Sequence, residues 1–399
     1  MMKAEKNIPA LRFPEFEGEW GKVKLEQITN RIGDGLHGTP EYVEDGNCFF
    51  INGNNLVNGR ININEQTKMV SQNSLDFHQK GLNEETILIS INGTIGSLAR
   101  YNQENVMLGK SVGYFIFREE SEFFFHHLST EKIQRHFFNE LTGTTIKNLS
   151  LKTLRETIVG FPSLPEQQKI ASFLSSVDQR IHLLTQKKEK LEQYKKGIMQ
   201  QIFSQQLRFK DENGKNYPAW EEKRLGDIAV INPRIDKVPD NFHYIDLESV
   251  DKGSLKYAIN YNQSDAPSRA QRVLTRGDIL FQLVRPYQKN NYYFDLEGTY
   301  VASTGYAQIR YDRCPQFVYQ MVHSEFFVTK VLNRCTGSSY PAINSSDLGD
   351  ITELFPRSFE EQQKIATFLS AIDEKINHIN SQIELTRKWK QGLLQQMFV

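Results

Sequence analysis

Residues Glu166 to Phe203 read EQQKIASFLSSVDQRIHLLTQKKEKLEQYKKGIMQQIF, and Glu361 to Phe398 read EQQKIATFLSAIDEKINHINSQIELTRKWKQGLLQQMF. The two stretches align without a gap at an offset of 195, with 17 of 38 positions identical and most others conservative, such as Val177 against Ile372 and Tyr194 against Trp389. A repeat of this length decides the architecture: the chain holds two copies of one unit, each closing on the same kind of segment.

Periodicity identifies that segment as a helix. Ile170, Val177, Leu184, Leu191 and Ile198 fall seven apart, with Leu174, Ile181 and Ile202 four residues further on and Lys188 and Lys195 filling the remaining places of that register. The second copy repeats the scheme with Ile365, Ile372, Ile379 and Leu393, and with Leu369, Ile376, Ile383 and Met397; Thr386 and Lys390 interrupt it. Sustained heptads argue for a coiled coil. Pro165 and Glu166 suit a helix start, because the imide lacks an N–H that would go unpaired and the carboxylate faces the positive end of the dipole. At ~1.5 Å per residue each helix is about 57 Å long. Each carries one narrow apolar seam, so the two are expected to pair with each other rather than lie only on their own domains. The join after Phe203 is too short to turn one helix back on the other, which puts the second globular part between them. Antiparallel pairing then places one domain at each end of a rod.

Outward from the helices, the globular parts repeat more weakly. Leu11-Arg12-Phe13 recurs as Leu207-Arg208-Phe209, and Trp20, Leu25 and Ile28 match Trp220, Leu225 and Ile228. Inside each part the text is strand-like. Thr86 to Ile91 alternates and ends on Asn92-Gly93, a turn signal; its partner is Gly277 to Pro286. Gly113–Phe117 and Gly305–Arg310 follow, then aromatic-rich helical stretches over 122–140 and 316–334. A polar loop comes next in both, Thr142-Gly143-Thr144-Thr145 and Thr336-Gly337-Ser338-Ser339. Each globular part reads as mixed α+β around a twisted sheet, with Pro162, Pro165 and Pro356 marking the joints to the helices.

Composition limits the function. Lys+Arg and Asp+Glu both number 48, so there is no global basic field of the kind that phosphate neutralisation requires, and a lone non-specific nucleic-acid binder is disfavoured. Lysines 187, 188, 190, 195 and 196 read as a solvated helix face. Cys48, Cys314 and Cys335 are scattered and show neither metal nor disulfide spacing. With no signal peptide and no apolar run near ~18 residues, a soluble cytosolic protein is expected.

Catalytic motifs fail in turn. Gly109-Lys110-Ser111 resembles the tail of a phosphate loop, but Glu104 stands where the leading glycine is needed. Gly93-Thr94-Ile95-Gly96 is too short for a dinucleotide fingerprint. Asn232-Pro233-Arg234 approaches the Asn-Pro-Pro-aromatic motif of amino-methyltransferases, but Arg234 breaks it. The nine histidines show no ligand spacing. These failures favour a recognition or scaffold role over an enzyme.

Two dissimilar globular parts, each followed by a similar long helix that opens on Glu-Gln-Gln-Lys-Ile-Ala, resemble the specificity (S) subunit of type I restriction–modification systems. The opening Leu11 to Phe16, the Trp220 to Ile228 segment and the paired helix starts carry the likeness over nearly the whole chain. Asp34 to Pro40 also resembles a loop of many target-recognition domains in that family; the second unit lacks it at the matching place. The resemblance implies an α+β fold with target-recognition domains at 1–165 and 207–358 and conserved spacer helices at 166–206 and 359–399. The helices would pair as an antiparallel coiled coil with pseudo-two-fold symmetry. It implies that each domain reads half of a split, asymmetric double-stranded DNA sequence, at a gap set by the coiled coil. Two methyltransferase subunits would dock mainly on those helices, and two restriction subunits would join them. S-adenosylmethionine, ATP and magnesium would sit on those partners only, leaving this chain non-catalytic, with no cofactor or metal of its own, and cytoplasmic. The rival reading is a coiled-coil scaffold joining two protein partners without DNA reading.

Base reading needs loop side chains with hydrogen-bonding edges, Arg for guanine and Asn or Gln for adenine. The candidate DNA contacts are His37, Thr39, Asn92, Thr94, Thr144 and Lys147 in the first domain. In the second they are Arg285, Tyr287, Lys289, Ser338, Ser339 and Tyr340.

Overall fold

The computed structural model describes residues 7–143, 147–235, 237–337 and 339–399. Two units emerge. One ends at Leu184 and is completed by Ser381–Val399, and the other runs Thr185–Asn380. Both divisions fall inside the long helices.

In the first unit, β1 (Thr29–Asp34), β2 (Cys48–Ile51), β3 (Thr86–Ser90), β4 (Leu98–Arg100), β5 (Val106–Leu108) and β6 (Val112–Phe117) build two sheets. One is antiparallel in the order β1-β6-β3-β4. The other sets β5 parallel to β2 and adds two short antiparallel strands. The alternation read in Thr86–Ser90 is an alternation between two cores, since every residue of β3 and β6 is buried. Ile87, Ile89, Phe115 and Phe117 face the helices, while Leu88, Tyr114 and Ile116 face the second sheet. A central strand covered on both sides reads as near-continuous apolar text.

The aromatic-rich stretch over 122–140 is two helices, α1 (Ser121–Leu128) and α2 (Glu131–Asn139). They break at Ser129 and Thr130, whose hydroxyls donate to the carbonyls of Phe125 and His127. Such local side-chain bonds compete with helix continuation. The long helix α3 (Leu164–Phe203) follows. Its Ile170, Leu174 and Val177 lie in one core with Phe117, Phe123 and, from the C-terminal segment, Leu393, Met397 and Phe398. The heptad seam of this half therefore packs on the globular core as well as on a second helix.

The second unit has the same plan. β7 (Val230–Ile231), β8 (Asn241–Ile245), β9 (Ile279–Gln282), β10 (Tyr292–Tyr293), β11 (Tyr300–Ser303) and β12 (Tyr306–Arg310) give an antiparallel sheet β7-β12-β9-β10 and a second sheet in which β8 runs parallel to β11. The stretch over 316–334 again splits, into α4 (Pro315–Val322) and α5 (Glu325–Arg334), with Ser324 capping α5 by accepting from Phe327 N at 3.2 Å. The first half of α6 (Phe359–Met397) adds Ile365, Leu369 and Ile372 to a core shared with Met199, Ile202 and Phe203.

The two recurring motifs meet across about 150 residues of chain. Arg12 Nε and Nη2 each donate to Glu166 at 2.7 Å, and Arg208 Nε and Nη2 donate to Glu361 Oε1 at 3.2 and 2.9 Å. Both carboxylates are buried, where a charge is tolerated only if paired, and the Arg fork pairs it bidentately. The next residue of each helix start, Gln167 or Gln362, donates to Pro162 O at 2.9 Å or Pro356 O at 2.8 Å. Phe13 meets Phe173, and Phe209 meets Phe368, edge-on with centroids 5.7 Å apart. Leu-Arg-Phe and Glu-Gln-Gln thus form one latch, built twice.

The lysines that interrupt the heptads also have partners. In the second unit Lys188 Nζ donates to Asn380 Oδ1 at 2.7 Å and Lys195 Nζ to Asp373 Oδ1 at 2.6 Å. The partner number falls as the lysine number rises, so the helices run antiparallel there. In the first unit Lys390 Nζ bonds Asp178, the repeat equivalent of the Lys195–Asp373 pair. Among the described residues no helix is long and apolar enough to cross a membrane.

Candidate nucleic-acid interface

Strand pairing gathers three loops at one end of the first unit's antiparallel sheet. β6 pairs with β1 through Gly113 and Asp34 and with β3 through Val112 and Ser90. The end of β1, the start of β6 and the end of β3 are therefore neighbours, and residues 35–40, 109–111 and 91–97 leave together. Their backbones are stitched: Gly35 N donates to Val112 O at 3.0 Å, Leu36 N to Leu108 O at 2.7 Å and Ile91 N to Ser111 O at 2.9 Å. Ser111 Oγ donates to Asn52 Oδ1 and accepts from Gly53 N, both at 2.9 Å. A Cβ on Gly35 would come within 2.3 Å of two carbonyl oxygens, those of Leu108 and Gly109, so only glycine allows this approach. The loops stand on a braced base.

His37 and Thr39 are exposed on the first loop, with His37 Nε2 at 2.6 Å from Asp34 Oδ2. Asn92 is half-buried and bridges Asn148. Thr94 is exposed, and its hydroxyl donates to Gly53 O at 3.0 Å. Lys147 is exposed and shares a crevice of about 590 Å³ with Gly93, Thr94 and Phe138. Thr144 lies outside the described residues. Asn92, Thr94 and Lys147 are thus brought together, while His37 and Thr39 occupy the neighbouring loop at the same sheet end.

The second unit repeats this geometry with other side chains. β12 pairs with β7 through Ile309 and Ile231 and with β9 through Tyr306 and Gln282, so residues 232–235, 304–305 and 283–290 share one sheet end. Val284 bridges Ala342, which also bridges Thr336, just as Asn148 bridges both Asn92 and Thr142. Arg285 stacks its guanidinium 4.3 Å from the centroid of Tyr340, whose ring is 63% exposed. Tyr287 is half-exposed and Ser339 exposed. Lys289 Nζ donates to His323 O at 3.1 Å and Glu325 Oε1 at 3.0 Å, which makes it a strut of the turn. Ser338 lies outside the described residues. Arg285 and Lys289 both hold left-handed backbone, at φ 54°. That conformation is uncommon for residues other than glycine and costs of order 1–3 kcal/mol.

Sequence reasoning passed over four residues at these ends. Asn54 and Lys110 are exposed beside the braced loops, and Arg234 is exposed on the loop after β7. Phe138, at the end of α2, is 71% exposed in the Lys147 crevice. Lys110 and Arg234 had been weighed only as parts of catalytic motifs that fail. The signal that would have found them is their distance from a strand end.

Behind the first interface lies an ion network. Arg100 bonds Glu122 and Asp178 and lies 3.5 Å from the ring centroid of Phe125. Burial alone would raise the Glu122 carboxyl, but hydrogen bonds from Arg100, His126 and Ser175 hold it well below the usual carboxylate range. These groups are locked to one another, which suits a support. The exposed loop side chains offer donors, acceptors and positive charge on a rigid frame, and that is what reading base edges and phosphates requires. Among the described residues no group of three or more His, Cys, Asp or Glu side chains is placed to hold a metal ion.

Comparison with known proteins agrees with this arrangement. The family profile of the type I restriction modification DNA specificity domain matches residues 17–193 and 218–387. The chain is 23% identical over 427 residues to the type I restriction enzyme MjaVIII specificity subunit of Methanocaldococcus jannaschii, covering 97% of this chain and 92% of that one. It is 28% identical over 191 residues to the HindI specificity subunit of Haemophilus influenzae, covering 45% and 41%. The crystal structure of an S subunit of a type I restriction–modification system from M. genitalium superposes with a TM-score of 0.62 at 16% identity, covering 98% of this chain and 99% of that one. A chain from a study of complex assembly and conformational transition in the type I system superposes at 0.51 and 15%, covering 95% and 97%. At such identities the structural likeness is one of fold.

Proposed function

Because this chain belongs to the type I restriction–modification DNA specificity family, we propose that it reads a split, asymmetric DNA site, one half with each unit. It thereby directs adenine-N6 methylation or cleavage by partner subunits. The observation that carries this reading is the duplication. One chain builds the same braced sheet end twice, bridged alike through Asn148 and through Ala342, and dresses the two ends with different side chains. Two half-sites of different sequence call for that difference, and so does a scaffold for two different partners, which the test below separates. The partners are two methyltransferase and two restriction subunits, and S-adenosylmethionine, ATP and magnesium belong to them. The balanced charge makes weak DNA binding by the lone chain the expectation, with tight binding only in complex.

In this reading the two helices are a ruler. DNA half-sites on one face lie about 34 Å apart per helical turn, and a stiff helix pair converts its length into a gap in base pairs. The test is co-expression of the full chain with a type I methyltransferase subunit, followed by mapping of methyladenine across the host genome. One split motif with a constant gap is the expected result, and exchange of residues 11–165 should change one half only. A purified complex that yields no new motif would overturn the reading in favour of a scaffold.

A further inference from the structure

We propose that Arg285 reads a guanine in the half-site of the second unit, with its guanidinium pre-set by Tyr340 and its turn held by Lys289. The inference rests on the DNA-reading function proposed above and assigns to it one residue and one base.

The argument begins from two equivalent positions. Gly93 follows Asn92, which bridges Asn148, and Arg285 follows Val284, which bridges Ala342. Both hold left-handed backbone, at φ 71° for the glycine and 54° for the arginine. The first unit uses the residue that adopts this conformation freely, and the second places a strained one there. Packing does not account for the choice. Among the described residues Arg285 makes no ion pair, and its side chain lies on a ring that is itself 63% exposed.

The stacking fixes what the guanidinium offers. The guanidinium carbon lies over the Tyr340 ring, 4.3 Å from its centroid, so the ring holds the group in one place beside the turn. A planar fork of donors matches O6 and N7 of guanine in the major groove, the pair of acceptors no other base presents. The turn beyond is held from both sides. Pro286–Gln288 is a single 3-10 turn between Arg285 and the left-handed Lys289. Lys289 is tied to His323 O and Glu325, while Gln288 Oε1 accepts from Gln282 Nε2 at 3.1 Å. Tyr340 and Lys289 are positioning residues, and Arg285 touches the base.

The experiment uses the full chain in complex with its methyltransferase subunits. Once the methylated motif is mapped, each guanine of the site is replaced in turn by 7-deazaguanine in duplex oligonucleotides, and binding is measured by competition. For the wild type, one replacement in one half should weaken binding roughly tenfold. Arg285→Ala should be indifferent to that replacement, and its methylome should relax at that position with the other half unchanged. Arg285→Lys should keep a weakened preference for guanine, because its ammonium can still donate to O6 and N7 but lacks the planar fork. Tyr340→Ala and Lys289→Met should relax the same position partially. Arg285→Gly should relax it while leaving the unfolding temperature unchanged or raised, since glycine suits the left-handed site. A uniform affinity loss across sequences would make Arg285 a phosphate contact and overturn the proposal. So would a second half-site without guanine, or a marked loss of stability in the glycine variant. A wild-type complex with no split motif removes the underlying reading as well. That result is distinct from a normal motif in which Arg285 is silent.

Discussion

The latches and the sheet ends of the two units differ in opposite ways. At the latch the Arg12–Glu166 pair recurs as Arg208–Glu361, and the Phe13–Phe173 contact as Phe209–Phe368. At the sheet end the backbone bridges repeat, but Arg285 holds the place that Gly93 holds in the first unit, and the Asp34–Pro40 segment has no match in the residues that follow β7. Frame residues are tied to buried partners, so changing one strands the other. Loop residues project from a braced base and can change without disturbing it. The two units therefore share the residues that carry stability and differ in the side chains exposed at the sheet end.

The largest effect expected from testing this contrast is at the latch. Removing one partner of a buried ion pair leaves a charge without compensation, at about 3–5 kcal/mol. Glu166→Ala and Glu361→Ala should both fall in that range by denaturant unfolding. Glu166→Ala should be the worse, because Glu166 also accepts from Trp20 Nε1 at 3.1 Å whereas the buried Trp220 Nε1 has no partner among the described residues. Equal losses would show that the extra bond contributes nothing.

At the sheet end, Asn92→Ala and Lys147→Ala should each cost ~1–3 kcal/mol of DNA binding with little change in stability. Asn92→Ala should relax one position of one half-site. Lys147→Ala, if it meets a phosphate, should weaken all sequences alike and flatten the salt dependence. Competition binding over a panel of single-base variants separates the two.

The helix pairs sharpen the comparison further. Lys195→Met and Lys390→Met each leave a partly buried aspartate, at about 1–2 kcal/mol. Lys195→Met should cost more, since Asp178 keeps Arg100 at 3.0 Å while Asp373 keeps only the neutral amide of Gln320 at 2.8 Å. Thermal unfolding of the two variants should show that order, and the reverse would contradict it.

The smallest effect near neutrality is acid sensitivity. Burial lowers the imidazole of His127 to about 3 and that of His323 to about 4. In the unfolded chain these groups take a proton near pH ~6.5. Stability is then complete above that value and is lost progressively as the pH falls from about 6.5 toward 4. Denaturation midpoints between pH 7 and 4 should fall accordingly, and His127→Phe should blunt the fall. A flat profile would mean that these rings are protonated in place.

Much of this architecture was legible because its signals are local. Seven-residue spacing, Asn92-Gly93 and the strand-like runs at 86–91 and 113–117 each declare themselves within a few residues. The recurrence of strand-end turn and Thr-Gly loop in the same order was visible as text, but their bridging through Asn148 and Ala342 was not. The division of aromatic stretches at Ser129-Thr130 and His323-Ser324 was not, because a hydroxyl that caps one helix and one that merely sits inside it look alike in sequence. Nor was the exposure of Lys110 and Arg234 at the sheet ends legible, since it depends on which strands pair. The candidate loops were read from turn chemistry. The roles within them, Lys289 as strut and Arg285 as stacked fork, depended on neighbours about 35 and 55 residues away.

By itself, then, the sequence determined the twofold repeat, the two long helices, the α+β character of each unit and the family. All of these follow from periodicity, composition and matching text, which survive without knowledge of distant contacts. Packing alone settled that Leu-Arg-Phe closes on Glu-Gln-Gln, that Lys195 and Lys390 answer aspartates on the opposite helix, and that a glycine in one unit stands where a strained arginine stands in the other. A buried charge or a left-handed residue is meaningful only beside what it touches, and those neighbours are brought together by packing rather than by sequence proximity.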